Sequence, residues 1–423
     1  MLWSPLCRQE MNISFVDALF TSTSAVCVTG LTVVDTGKDF NRTGQSVIML
    51  LIQTGGLGVM TFAGLAFQIL GMRMSLRSEA VLHDTFFQRH VGEEFGSAFK
   101  TILLLTGLIE GVGVVLLLGA LYPKMELSDA AFSATFHSIS AFCNAGFSLH
   151  SDNLVGLNGN EFFLFTIMVL IVLGGLGYTV VHEIYQALGR MVRRREIVSV
   201  QSLSFHARIV VAITLVLILA GAGFLIFFGI GAEQLSRGDL IVNALFQSVT
   251  ARTAGFNSVD IGRLPSASLL ILIILMFVGG SPGSCAGGIK TTSAAILWAR
   301  FVSGLRGQRE VNLRGRMIPH DLVSRADLLI ALALIWNLVG VFFLFSFESG
   351  LKVDTLSLIF EQVSAFGTVG LSTGITPDLS AAGKLWLCAT MFVGRLGPLT
   401  IALWMIPSDN LKIRYPRGTV MIG

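Results

Sequence analysis

In the stretch FVGGSPGSCAGGIKTTSA, Phe277 to Ala294, glycines run up to Lys290, Thr291 and Thr292. Glycines followed by a lysine and a hydroxyl are the chemistry of a phosphate cradle, where backbone N–H groups surround the anion. The spacing denies it here. Four residues separate Gly283 from Gly288, but Ile289 intervenes before Lys290, and an apolar run precedes the stretch where a soluble strand is needed. Catalysis finds little else. Only His83-Asp84 and His182-Glu183 pair acid with base, and both read as loop or helix-end neighbours. The cysteines (Cys7, Cys27, Cys143, Cys285, Cys388) are scattered, without metal-ligand spacing and odd in number. The chain is not expected to be an enzyme or to bind a cofactor covalently.

A second pattern is more informative. DALFTSTSAVCVTGLT from Asp17, SATFHSISAFCNAGFS from Ser133, NALFQSVTARTAGFNS from Asn243 and SLIFEQVSAFGTVGLS from Ser357 resemble one another. Each carries a phenylalanine, Ser/Thr-rich turns, a short triplet and one glycine: Gly30, Gly146, Gly255 and Gly370, about 110 residues apart. The third copy is one residue shorter between Phe246 and Gly255. The triplets are Cys27-Val28-Thr29, Cys143-Asn144-Ala145, Arg252-Thr253-Ala254 and Gly367-Thr368-Val369. They are mostly small and uncharged, as expected where backbone carbonyls replace the water shell of an ion. Glycine permits the backbone conformation that turns carbonyls inward. A plain helix–helix turn with a glycine cap is the simpler reading, but it does not need the Ser/Thr-rich half-helix four times.

The elements that must hold these tips are apolar. Of 423 residues, 53% are hydrophobic and 13% charged, against roughly 25% charged in a soluble domain. A net charge of +3 is too small to suggest nucleic acid. Apolar stretches follow each tip (Ser46–Leu70, Phe162–Leu188, Ser268–Phe301, Leu385–Ile406) and precede the last three (Phe99–Leu121, Ile209–Ile230, Leu328–Phe347). The expected fold is an all-α polytopic membrane protein. It has four outer helix–pore helix–filter–inner helix repeats with pseudo-fourfold symmetry, over residues 1–97, 98–205, 206–320 and 321–423. The pore helices are too short to span, so they enter and return, lining a cavity or buried in protein. The first outer helix is expected to be truncated, by a start placed too far downstream rather than by a fold lacking that wall, with MLWSPL as its tail. Basic residues follow the inner helices (Arg73, Arg77, GRMVRRRE, ARFVSGLRGQREVNLRGR, LKIRYPR), whereas Asp35, Asp39, Asp152, Asp260 and Asp378 lie beyond the tips. The positive-inside rule puts the tips outside and the basic loops and C-terminus in the cytoplasm.

Against these repeats the opening stretch changes meaning. QTGGLGVM, VLGGLGYT and FVGRLGPL stand at its place in the other copies and read as continuous helix, so the third inner helix alone is expected to be interrupted. Gly279, Gly280, Ser281, Pro282, Gly283, Ser284, Gly287, Gly288 and Lys290 then form a gate-like loop under the filter. An ionisable group within a spanning helix is a functional suspect. Arg395, in the fourth inner helix, is read as a positive barrier on the cation path, whereas Glu110 and Asn337 on outer helices are read as braces. His137 and His206 read as structural, and Arg252 as bracing its loop from behind.

The segments TSAVCVTGL, SAFCNAGFS, TARTAGFNSVD, SAFGTVGLSTG, GGSPGSCAGGIKT and FVGRLGPLT resemble the membrane subunit of the Trk/Ktr/HKT superfamily of potassium transporters, most closely its Ktr type. The resemblance implies bacterial plasma-membrane potassium uptake through a gated, channel-like pore, with sodium as a second candidate ion or stimulant. It further implies a homodimer with one pore per subunit and a cytosolic RCK-type ring beneath, which would carry the regulatory nucleotide. Gly30 stands where some plant members that carry sodium have serine, which favours potassium. A coupled carrier working by alternating access is the alternative; its marks would be inverted repeats and paired broken helices.

Overall fold

The computed structural model describes residues 1–9, 13–58, 95–122, 125–194, 203–230, 236–351 and 353–397. His83-Asp84, Arg73, Arg77, the LKIRYPR tail and the outer parts of Ser46–Leu70 and Leu385–Ile406 lie outside the described residues. The chain is mostly helical. In order the helices are α1 (Phe15–Val26), α2 (Arg42–Gly56), α3 (Phe95–Leu121), α4 (Leu127–Phe142), α5 (Glu161–Leu176), α6 (Tyr178–Arg194), α7 (Phe205–Phe228), α8 (Arg237–Thr250), α9 (Ser266–Phe277), α10 (Thr291–Leu305), α11 (His320–Phe347), α12 (Thr355–Gly367) and α13 (Ala381–Leu396). A hairpin, β1 (Asn312–Leu313) and β2 (Arg316–Met317), follows α10. It closes on Arg314 and Gly315, both at positive φ, and docks Arg316 over the Phe205 ring at the start of α7.

Three helices among the described residues are long and apolar enough to cross a membrane: Lys100–Leu121 within α3, α7 and α11. Their outward faces carry Leu104, Leu108, Val216, Leu219, Leu338 and Phe342, exposed as lipid-facing side chains are. The short helices α1, α4, α8 and α12 run 12, 16, 14 and 13 residues. At ~1.5 Å per residue they reach about 18–24 Å, short of the ~30 Å hydrocarbon core. Serine starts two of them: Ser14 accepts from the Asp17 N–H and Ser236 from the Asp239 N–H, satisfying donors that helix ends leave free.

Packing repeats as the sequence does. Phe20, Phe136, Phe246 and Phe360 are fully buried at equivalent places in the short helices. Ser138 Oγ donates to Glu110 O (2.8 Å) and Ser248 Oγ to Ile218 O (2.7 Å), pinning α4 to α3 and α8 to α7. Gly55, Gly174 and Gly394, near the ends of α2, α5 and α13, leave no room for a Cβ against the carbonyls of Val26, Phe142 and Phe366. Three of the four short helices, α1, α4 and α12, therefore end on a glycine of the helix that follows.

Two expectations need correction. The third following helix is not alone in being broken. Gly177, at φ +86°, ends α5 and turns α6 away by 110°, while Gly397 (φ +88°) ends α13 and Gly58 (φ +93°) follows the end of α2. Glycines read as tolerated inside a helix instead take a left-handed conformation that stops one. Nor is MLWSPL a helix tail. Pro5–Cys7 is one 3-10 turn capped by Ser4, and Arg8 bridges to Phe40.

Candidate functional site

The four tips close on one another. Val28, Asn144, Thr253 and Thr368 hold φ of +56°, +60°, +71° and +48°, and two residues later Gly30, Gly146, Gly255 and Gly370 hold +94°, +69°, +77° and +91°. Two left-handed residues flanking one ordinary residue make the same local bend four times. A Cβ on Gly30 would meet Ala145 O and Gly146 Cα, and one on Gly146 would meet Ala254 O and Gly255 Cα. One on Gly255 would meet Val369 O and Gly370 Cα, and one on Gly370 would meet Thr29 O and Gly30 Cα. The contacts run from first to second to third to fourth and back to first, a closed ring of backbone. Cys27, Cys143, Ala145, Ala254, Val369 and Gly367 are buried behind or within it, as the small triplets require.

The tips are tied to their own helices. The Thr29, Ala145 and Val369 N–H groups donate to Ser24 O, Ser140 O and Ser364 O, five residues back, at 2.7–2.8 Å. In the third tip Ala254 N–H reaches Thr250 O, four residues back. The one-residue deletion is absorbed there, leaving the ring intact. Ser24 Oγ and Ser364 Oγ also accept from the glycine N–H groups of their tips, at 3.0 and 3.1 Å.

Polar side chains brace three tips from behind. His137 Nε2 pairs with Ser148 Oγ (3.0 Å), and Gln247 Nε2 donates to Ser258 Oγ (3.5 Å). Glu361 accepts from Ser372 Oγ (2.6 Å), Thr373 N–H (3.1 Å) and Thr376 Oγ1 (2.9 Å). Sequence reasoning named His137 as structural and missed the other two. Lining up Glu361 with His137 by repeat register would have found the fourth. It also missed Asn153, whose amide donates from outside to Gly146 O and Gly255 O, 3.4 Å each. A cavity of about 240 Å³ opens above the ring, lined by Asp35, Ser148, His150 and Asn153 among others. Burial holds His150 below its ordinary range, against the opposing pull of Asp152. Asp35 lies in this wall, but its carboxylate is engaged by the Gly37 and Lys38 N–H groups, and Asp260 pairs with Arg263.

Beneath the ring lies the segment between α9 and α10. It is not helical. Gly279 N–H donates to Ile289 O (2.9 Å) and Thr291 N–H to Gly280 O (3.0 Å), so its ends are zipped together. A Cβ on Gly287 would strike the Thr368 side chain, one on Gly288 would crowd Gly367, and one on Gly279 would press on Thr253. The loop thus touches the third and fourth tips directly. Its other side hangs on neighbours: Ser281 N–H on Gly175 O (3.0 Å), Cys285 N–H on Gly174 O (3.4 Å) and Gly288 N–H on Gly394 O (3.3 Å). In return, Tyr178 N–H at the start of α6 donates to Gly283 O (3.1 Å).

The cationic residues converge on the same loop. Arg395 donates to Cys285 O and to Gly55 O, joining α13, the loop and α2. Lys290 Nζ donates within the loop to Ala286 O (2.6 Å), and Arg252 reaches Gly279 O (3.4 Å). Gly283, Ser284, Gly288, Lys290 and Arg395 face a cavity of about 160 Å³ beside the loop. Thr291 Oγ1 donates to the buried Ser281 Oγ (3.2 Å), and Pro282 follows it in the turn. Glu110 braces as expected, accepting from Gln53 Nε2 (3.3 Å). Asn337 does not: its amide donates to Ala333 O of its own helix, and among the described residues Oδ1 has no partner. Among the described residues no group of three or more His, Cys, Asp or Glu is placed to hold a metal.

Known proteins resemble this chain. The family described as TrkH, cation transport protein, matches residues 2–413. A Ktr system potassium uptake protein B of Bacillus subtilis is 38% identical over 97% of this chain and 90% of its own. That of Vibrio alginolyticus is 35% identical over 97% and 89%. A potassium/sodium uptake protein, NtpJ, of Enterococcus hirae is 34% identical over 98% and 91%. The crystal structure of the potassium transporter TrkH from Vibrio parahaemolyticus superposes with a TM-score of 0.72 at 20% identity, covering 94% of this chain and 79% of that one.

Proposed function

The chain belongs to the TrkH cation transport protein family, and from that premise we propose that it carries potassium into the cell through a gated pore along the axis of the glycine ring. The single observation that carries the reading is the closed backbone ring. Four left-handed bends leave carbonyls of the tips as the available oxygens at the constriction, and carbonyl dipoles suit a dehydrated monovalent cation. Selection rests on the triplets from Cys27, Cys143, Arg252 and Gly367 to the ring glycines. The potassium/sodium relative makes sodium the second ion to test.

Gating falls to the loop Gly279–Gly288 with Lys290 and Arg395. It touches two tips from below and is held by hydrogen bonds to three neighbouring helices, so release requires a concerted shift. The cationic ends of Arg395 and Lys290 add an electrostatic barrier to a cation in that position. Lacking a phosphate cradle, the chain takes its nucleotide control from a cytosolic ring beneath a homodimer, against the basic ends of α6 and α10. The bend at Gly177 gives the coupled-carrier alternative a second broken helix. The repeats remain parallel in sequence rather than inverted, which keeps it second.

The test is growth on limiting potassium in cells stripped of potassium transport, with rubidium flux in proteoliposomes. The wild-type chain restores growth, and shortening Gly279–Gly288 raises flux. Gly30→Ser puts a Cβ against Ala145 O at φ +94° and cuts flux as well as selectivity. Failure of every form to restore growth, or loop shortening without effect, overturns the pore-and-gate reading.

A further inference from the structure

Cys143 and Cys285 stand far apart in sequence and together in space. Cys143 follows the last residue of α4, opens the triplet of the second tip, and is 1% exposed. Cys285 sits in the obstructing loop and is half-buried. The two flank Gly174: Cys285 N–H donates to Gly174 O (3.4 Å), and Gly174 packs against the carbonyl of Phe142, the residue before Cys143. Both line the 160 Å³ cavity beside the loop, a space large enough to admit a molecule the size of water or hydrogen peroxide. Around them the backbone is fixed: Cys285 N–H is held by Gly174 O, and Cys285 O accepts from Arg395. On the other side Cys143 Sγ faces Glu110 Oε1 and Gln53 Oε1, 3.8 Å each. Neither thiol has a role in ion coordination by backbone carbonyls.

We propose that Cys143 and Cys285 form a dithiol site that a hydroperoxide oxidises to a disulfide, stapling the obstructing loop to the second tip and arresting transport. The proposal rests on the reading of the loop as a gate for its effect on flux, but not for its chemistry. The half-buried Cys285 reacts first: its sulfur attacks one peroxide oxygen, the O–O bond breaks, and Cys285–SOH and water result. Cys143 then attacks that sulfur, the S–O bond breaks, the Cys143 proton leaves with the hydroxide as a second water, and an S–S bond forms. Two thiols and one hydrogen peroxide give one disulfide and two waters, with the two electrons passing from sulfur to the peroxide. Glu110, beside Cys143, is placed to relay the proton. A thiol–disulfide reductant reverses the link, as expected of disulfides on the cytoplasmic side of a cell, which are mostly transient and redox-sensing.

The experiment uses the full chain in proteoliposomes, treated with hydrogen peroxide and then dithiothreitol. Free thiols are blocked with N-ethylmaleimide before peptide mapping, and rubidium flux is measured in parallel. A peptide joined through Cys143 and Cys285 is expected, with Cys7, Cys27 and Cys388 still blocked as free thiols. Flux falls in proportion to the fraction joined and returns with dithiothreitol. Cys285→Ser, compared with its own untreated flux, ignores peroxide. Loss of flux that persists in Cys285→Ser overturns the proposal. All five thiols remaining free after peroxide overturns it too, leaving the transport reading untouched. Cross-linking with unchanged flux overturns it in a third way and counts against the loop as obstruction, while the flux itself still stands.

Discussion

A carboxyl, an imidazole and an amide occupy equivalent places behind three tips, and the first copy has Thr21, whose hydroxyl turns back to Asp17 O. The tips share a backbone shape but are held by different chemistry. Glu361 is the most heavily engaged, with two hydroxyls and one N–H on its oxygens and no exposed surface. Glu361→Ala strands those donors in a buried site, at about 1–3 kcal/mol for each unsatisfied group before relaxation. Thermal unfolding in detergent is expected to show a loss of about 2–4 kcal/mol. Glu361→Gln keeps the shape and one acceptor oxygen, so it recovers most of that stability. Removing an acidic group behind the ring weakens its hold on a cation, and the apparent potassium affinity of Glu361→Gln falls severalfold. Equal affinity in the two proteins would make Glu361 a purely structural brace. The ring glycines were legible in the sequence because glycine is the residue such bends require. Glu361 was not, because a lone acid in an apolar helix gains meaning only when Ser372 and Thr376 fold back upon it.

Short helix, tip and following helix were legible as a unit from the fourfold recurrence; the ends of the following helices were not. QTGGLGVM, VLGGLGYT and FVGRLGPL hide the same stop at Gly58, Gly177 and Gly397, and periodicity does not distinguish a helical glycine from a left-handed one. The consequence is a mechanical link. Gly177 turns the chain so that α6 starts with its first N–H on Gly283 O of the loop, 3.1 Å away. A helix with a basic end is thereby hooked to the loop proposed as the gate. Tyr178 is the first residue of α6, where proline is tolerated because that N–H has no helical partner. Tyr178→Pro removes the hook and keeps the helix. Single-channel or flux recordings are expected to show higher open occupancy, with helix content by circular dichroism unchanged. Unchanged occupancy would show that α6 and the loop move independently. Arg395 belongs to the same network: Arg395→Gln breaks its reach to Cys285 O and Gly55 O together and raises flux at fixed driving force.

Four units close into a ring only if all face the membrane the same way, so ring and orientation are one question at the scale of the whole molecule. The ring contacts are cyclic, and the third unit keeps its place despite its missing residue, because Ala254 bonds one residue nearer along its helix. The loops after the tips meet on the side of the 240 Å³ cavity, whereas the hairpin β1–β2 with Arg306, Arg309, Arg314 and Arg316 follows α10 after the loop beneath the ring. Because lysine and arginine are retained on the cytoplasmic face, the expected orientation has the hairpin inside and Ser151 outside. Ser151→Cys and Gln308→Cys, both at exposed positions, test this with a membrane-impermeant maleimide. Intact cells are expected to label the first and spare the second, and inside-out vesicles to do the reverse. Because the tips approach one another in a closed cycle, labelling of both from one side would break more than the orientation: it would require units of opposite sense, and with them the inverted repeats of an alternating-access carrier.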